Sequence, residues 1–236
     1  MASSLGRTIT GYAWTITASP PTGPSLVSWA PTPPTAATES FLPRVVGSYT
    51  IHVVATDSMG ATGSCDTHVD ALRQGLRLEL TWDGSTASGD LDLHLHNNVG
   101  TSPWFNIPND CFYNDVGPMW DAVGTADDPS FDFDSTIAPG PEAAHINAPV
   151  IGESYTIGVH NYRGGAGRHA TVNVYCGSSS TPAATRISRA LTGSGAGNCT
   201  ANDFWKVATV TFTSATACTV TPIDTYVASS TACTAF

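Results

Sequence analysis

The sequence predicts an all-β protein, two β-sandwich domains in tandem with little helix, and three observations carry that reading. Only 12% of the 236 residues are charged, about half the share of roughly 25% found in ordinary globular chains. Ser and Thr supply about a quarter of the chain, beside 22 Gly and 16 Pro, which is a composition of strand formers and turn formers. Apolar residues alternate in several short runs and nowhere keep a sustained 3.6-residue period. The hydrophobic share of 41% is enough to build a core. With 9 Lys+Arg against 19 Asp+Glu and a net charge of -10, the chain has no basic face for general nucleic-acid binding. No apolar run is long enough for a transmembrane segment.

The first domain is placed at 1–72. Gly11-Tyr-Ala-Trp-Thr-Ile-Thr17 alternates as a strand, setting Tyr12, Trp14 and Ile16 opposite Ala13 and Thr15. The Pro-rich stretch from Pro20 to Pro34 excludes a helix there. Tyr49, Ile51, Val53 and Ala55 share one face of a second strand, Asp57-Ser-Met-Gly60 reads as a turn, and Thr62 to Val69 as the return strand of a hairpin.

On the residues Tyr12-Ala-Trp14, Gly47-Ser-Tyr49 and Val53-Val-Ala-Thr-Asp-Ser-Met-Gly60, residues 3–71 resemble the PKD-type immunoglobulin-like repeat of bacterial surface proteins. The resemblance implies an immunoglobulin-type β-sandwich at a cell surface. The family carries a further strand ahead of this point, so the domain is expected to expose an unpaired sheet edge, a template for another chain. The alternating run from Cys218 to Phe236 is the candidate donor for strand addition into a neighbouring copy, which would build a filament.

The second domain is placed at 73–236, as an immunoglobulin-like or jelly-roll-like β-sandwich. Leu76, Leu78 and Leu80 alternate with Arg77, Glu79 and Thr81 in its first strand. Asp90-Leu-Asp-Leu-His-Leu-His96 is the sharpest period-two run in the chain, with three leucines on one face and Asp90, Asp92, His94 and His96 on the other. Val99 to Pro149 reads as a long Asp-rich connection. Strands are expected at Ser154–His160, Ala170–Tyr175, Phe204–Phe212 and Cys218–Val227, with Gly177 to Gly197 as irregular chain.

Ten of the fifteen aspartates fall between Asp83 and Asp134, and no Lys or Arg occurs from Leu78 to Tyr162. Like charges at that density repel on folding, and a hard cation with oxygen ligands is the simplest remedy. The expected calcium ligands are Asp90 and Asp92 from a strand, with Asp127, Asp128, Asp132, Asp134 and Glu142 from the covering loop. No EF-hand spacing and no calcium-binding nonapeptide repeat is present, so the site would be assembled from separate segments. Zinc is the rival, through His94, His160 and one Asp. The plain alternative is an acidic surface, with both histidines hydrogen-bonded to neighbouring carboxylates.

On Leu80-Thr-Trp-Asp83, Asp90-Leu-Asp-Leu-His-Leu95, Trp104-Phe105, Asn109-Asp-Cys-Phe-Tyr113, Asp127-Asp-Pro-Ser-Phe-Asp132, Gly140-Pro-Glu142 and Tyr155-Thr-Ile-Gly-Val-His160, residues 76–175 resemble an uncharacterised secreted β-domain found beside PKD-type repeats in large exported bacterial proteins. That resemblance implies no chemistry. Near the Gly-Pro-Glu element, Ile137-Ala-Pro139 departs from the family's usual lead-in.

Six cysteines without a CxxC pair suit disulfides and an oxidising compartment better than a zinc ribbon, so the protein is expected outside the cell or on its surface, with at least two bridges. No nucleophile elbow, His-Glu-x-x-His, P-loop or dinucleotide fingerprint is present, and the expectation is a structural or adhesive protein rather than an enzyme. Its expected partners are copies of itself or other surface proteins. The alternative is a carbohydrate-binding module stacking sugars on Trp82, Trp104, Phe105, Phe112, Tyr113 and Trp120, and the third reading is a zinc-dependent hydrolase.

Overall fold

A computed structural model describes residues 6–20, 36–43, 45–84, 89–98, 102–120, 126–193, 195 and 200–227. The chain divides into two compact units, Met1–Leu72 and Arg73–Phe236. Described residues form strands and connections only, with no helix, and none of their segments is a helix long and apolar enough to cross a membrane.

In the first unit, β1 (Ile9–Ala18), β2 (Gly47–Asp57) and β3 (Thr62–Ala71) form one antiparallel sheet in the order β1-β2-β3. Tyr49, Ile51, Val53 and Ala55 are its buried face, as the alternation requires. Asp57 Oδ1 accepts the N–H groups of Met59 and Ala61, both at 2.9 Å, and closes the β2–β3 turn. Gly60 supplies the positive φ of that turn. The described residues of this unit form this one sheet, and the Pro-rich stretch 21–35 lies outside them.

The second unit is a sandwich of two five-stranded antiparallel sheets. Its strands are β4 (Leu76–Trp82), β5 (Asp90–His96), β6 (Asp110–Cys111), β7 (Pro129–Phe133), β8 (Glu142–Ile146), β9 (Ser154–Arg163), β10 (Ala170–Cys176), β11 (Ala184–Ile187), β12 (Phe204–Ser214) and β13 (Ala217–Tyr226). One sheet runs β11-β10-β4-β8-β7, the other β13-β12-β9-β5-β6. Leu76, Leu78 and Leu80 meet Leu91, Leu93 and Leu95 in the core between them, with Ile157, Val159, Val172, Val174 and Val210. Each fully buried aliphatic side chain contributes about 1.5–3 kcal/mol. A disulfide between Cys176 on β10 and Cys218 on β13 ties the two sheets together.

Three strands lie inside the stretch expected to be a connection. Glu142-Ala-Ala-His-Ile146 shows no alternation because β8 is buried on both faces, and β7 opens on Pro129, a residue tolerated there because β7 is the edge of its sheet. The short edge strand β11 is a further addition. Within the expected strand donor, residues 217–226 pair with β12 as the edge strand of their own sheet, and 228–236 lie outside the described residues. Cys65 and Cys111 are free thiols. Cys199 and Cys233, on which a second bridge would depend, are also outside the described residues.

Candidate metal centre

The polar face of β5 does not meet solvent. Asp90, Asp92, His94 and His96 are all buried, because residues 102–113 fold over this face and lay Trp104, Phe105 and Phe112 against His94. The packing depends on Gly158, the β9 partner of His94. A Cβ there would lie 2.5 Å from Phe204 and 3.0 Å from Trp104.

Glu142 arrives from the other sheet. Gly140, at φ 90°, passes over Trp82 so closely that a Cβ would sit 2.8 Å from the indole. The same indole donates from Nε1 to the Gly89 carbonyl at 3.0 Å, just ahead of Asp90. Trp82 therefore fixes both chain segments that carry acid. Strand β6 pairs only with Leu95 and His96, so the edge of β5 is uncovered at Leu93. The Leu93 N–H donates to Glu142 Oε2 at 2.6 Å, and Ser135 N–H reaches Oε1 at 3.4 Å.

The result is a buried trio. One carboxylate oxygen from each of Asp90, Asp92 and Glu142 lies within 4.8 Å of the others, and the residues are 3%, 4% and 0% exposed. Arg163 approaches Asp90 Oδ2 at 3.5 Å from a largely exposed position. Asp90 Oδ1 is buried with no hydrogen-bond partner. Burial, followed by the Asp92 charge, pushes the Asp90 carboxyl up to about 6. The same two causes raise Glu142 well above the usual carboxylate range. A cation bound here would offset the repulsion that the Asp92 charge exerts on Asp90 and Glu142.

A second group shares Asp92. One nitrogen each of His94 and His160 lies within 4.8 Å of the other and of an Asp92 oxygen. His160 sits directly across from Asp92 in the β5–β9 register, with Nδ1 2.9 Å from Asp92 Oδ2. His94 Nδ1 is 2.8 Å from Asp110 Oδ2. Asp110 also takes the Phe105 N–H at 2.6 Å and so holds that residue at φ 63°. Sequence reasoning does not reach Asp110. Its strand is two residues long, and no periodicity marks its side chain as inward.

The remaining expected calcium ligands are elsewhere. Asp132 is a correction: Arg77 donates to its Oδ2 at 2.9 Å, His145 Nδ1 lies 2.9 Å from Oδ1, and Arg73 stands at 3.8 Å. Burial alone would raise Asp132, but the His145 contact and the His145, Arg77 and Arg73 charges outweigh it and hold its carboxyl below the ordinary value. Asp128 accepts the Trp120 N–H at 2.8 Å, and the charge of Asp127 bears on Tyr155. Asp134 is exposed and contributes its charge to Asp90 and Glu142 from the rim. The sugar platform is also corrected. Trp82, Trp104 and Phe112 are buried, Trp120 stacks on Tyr155 with centroids 5.6 Å apart, and Tyr113 alone of the six is exposed.

The fold and site together define an antiparallel β-sandwich unit holding a buried carboxylate–histidine cluster. No family model, curated protein or solved structure matches the chain.

Proposed function

We propose that this chain is an extracellular structural or adhesive β-sandwich protein whose second unit is stabilised by calcium, and that it is not a catalyst. The observation that carries the reading is the trio Asp90, Asp92 and Glu142, buried together with Asp90 Oδ1 unpartnered. Carboxylate oxygens on rigid strands from two sheets are a hard-cation donor set, to be completed by carbonyls or water. Burial of all three leaves little room for a substrate, which supports stabilisation rather than turnover. The Cys176–Cys218 bridge suits an oxidising compartment. Copies of itself or other surface proteins are the partners this reading expects. Strand addition would use β1 and β3, each paired only with β2 among the described residues.

The test is thermal unfolding of the full chain in calcium and in chelator. A ligand at a hundredfold excess over its dissociation constant stabilises by about 2.7 kcal/mol. Calcium should raise the midpoint of the wild type and leave that of Asp92→Asn unchanged. Identical wild-type curves in calcium and chelator would reject the reading.

A further inference from the structure

Strand β3 is the edge of the first unit's sheet among the described residues, and its side chains from Thr62 to His68 are all exposed. Its own hairpin dictates which backbone groups face outward. The Asp57 N–H donates to the Ala61 carbonyl at 2.9 Å, so these two residues are a hydrogen-bonded pair, and such pairs alternate along an antiparallel ladder. In the β2–β3 register Gly63, Cys65, Thr67 and Val69 therefore turn their N–H and C=O groups to β2. Ser64, Asp66, His68 and Asp70 turn theirs away, as open ladder positions. The side chains of these four lie on the face opposite the buried Tyr49, Ile51, Val53 and Ala55. Three of them are tied to β2. His52 Nδ1 is 2.6 Å from Asp66 Oδ1, Ser48 Oγ donates to Asp70 Oδ1 at 2.6 Å, and Thr50 Oγ1 is 3.1 Å from His68 Nδ1. The second oxygen of each carboxylate and Nε2 of His68 take no part in these bonds.

We propose that β3 pairs antiparallel with β3 of a second copy of this chain, about a two-fold axis at Thr67, and joins two sheets into one. This rests on the self-association in the function proposed above, and it adds the strand and the register. Ladder bonds are exchanged only between residues whose backbone groups both face outward, which confines the axis to a residue rather than a point between two. An axis at Asp66 sets that aspartate against its own copy, and one at His68 sets Asp66 against Asp70. Like charges directly opposite destabilise the pair. An axis at Cys65 shortens the ladder to 62–68, and axes nearer either end shorten it further. The axis at Thr67 uses residues 63–71 and matches every outward side chain. Asp66 of one copy faces His68 of the other, and Ser64 faces Asp70, each twice. On the opposite face Cys65 lies against Val69, a small apolar pair continuing the buried row of β2. Strand β3 carries no Lys, Arg or Pro to guard its edge. Such a contact is isologous and closes at two copies.

The experiment is sedimentation equilibrium of the full chain in chelator and reductant, so that neither calcium nor a disulfide takes part. A monomer–dimer equilibrium is expected. His68→Asp sets like charges opposite each other twice and should weaken the dimer about tenfold. Should that variant disturb the hairpin itself, the register is read independently by mild oxidation and peptide mapping. In a non-hydrogen-bonded pair the Cα atoms are about 4.5 Å apart, within disulfide range. The double variant Cys65→Ser, Thr67→Cys should therefore form a covalent dimer bridged at position 67. In the wild type, Cys65 of one copy would stand about 13 Å from Cys65 of the other, and no bridge should form between them. A chain that stays monomeric at millimolar concentration, a dimer indifferent to His68→Asp in a folded variant, or a bridge through Cys65 in place of position 67 would overturn the proposal. The calcium-dependent midpoint scores the trio and dimerisation in chelator scores the edge, so either reading can fail alone.

Discussion

On the outer face of the first sheet of the second unit, buried acid is answered from within the chain. Arg77 lies between Glu79 Oε1 at 3.1 Å and Asp132 Oδ2 at 2.9 Å, with His145 and Arg73 behind Asp132. Around β5 of the second sheet, the one guanidinium near Asp90, Asp92 and Glu142 among the described residues is Arg163, at 3.5 Å from Asp90 and mostly in solvent, with His160 at 2.9 Å from Asp92. The two arginines flank the cation-free stretch of sequence, and Arg77 returns to two of its carboxylates while Arg163 returns to one. One arrives buried between two carboxylates, the other at the rim. The difference teaches that a run of acid without basic neighbours in sequence divides on folding. Part of it meets a guanidinium brought alongside by strand pairing, and part keeps a charge deficit that an ion can fill.

That contrast can be broken most forcefully at Arg77. Arg77→Ala takes the guanidinium from buried Glu79 and half-buried Asp132 and should cost about 3–5 kcal/mol, read from urea unfolding in chelator. The calcium-dependent gain should survive in this variant. A loss below about 1 kcal/mol would reduce the network to a surface pairing.

The sharper comparison replaces one carboxylate in each region under chelation. Asp132→Asn removes a charged acceptor from Arg77 and should destabilise by about 1.5–3 kcal/mol. Asp90→Asn removes repulsion from Asp92 and gives up only an exposed partner, so it should be neutral or stabilising. Equal losses in the two variants would mean that the trio is already neutralised by the protein. Gly140→Ala tests the delivery of Glu142. Its positive φ and the Trp82 ring should cost about 1–2 kcal/mol, accompanied by a smaller calcium-dependent shift than in wild type.

The smallest effect is in acid. Asp132 is held below its usual value of 3.8, so its contribution is complete above about pH 4 and is lost as the pH falls through the lower folded value. Wild type and Asp132→Asn should therefore converge in stability below that range and differ above it. A difference that persists undiminished into strong acid would remove the charge from the explanation.

How far these regions are legible in the sequence depends on what each residue does. Asp90–His96 is visible because its leucines face the core and alternate strictly, and the strand has the predicted bounds. Asp90, Asp92 and Glu142 come together as expected, and His94 and His160 join Asp92. Asp132 is misleading, since composition counts its charge but cannot show that β4, β8 and β7 lie side by side and carry Arg77 to it. β8 escapes notice because a strand buried on both faces has no polar period to display. Asp110 is hidden because its role is fixed by the His94 ring beneath the cover formed by residues 102–113, a tertiary contact with no local pattern.

The disulfide between Cys176 and Cys218 has a mechanical consequence. The bridged cysteines are 42 residues apart in sequence and 5.9 Å apart in space. Under tension applied at the two ends of the unit, the load crosses from β10 to β13 through the bridge, and everything between them, including β11 and β12, is bypassed. An unfolded chain extends by about 3.3–3.6 Å per residue, so the bridge withholds roughly 140 Å of contour from any stretching event. Strand β12 lies between β9 and β13 in its sheet, and it would remain closed in a tethered loop while the outer parts of the unit yield.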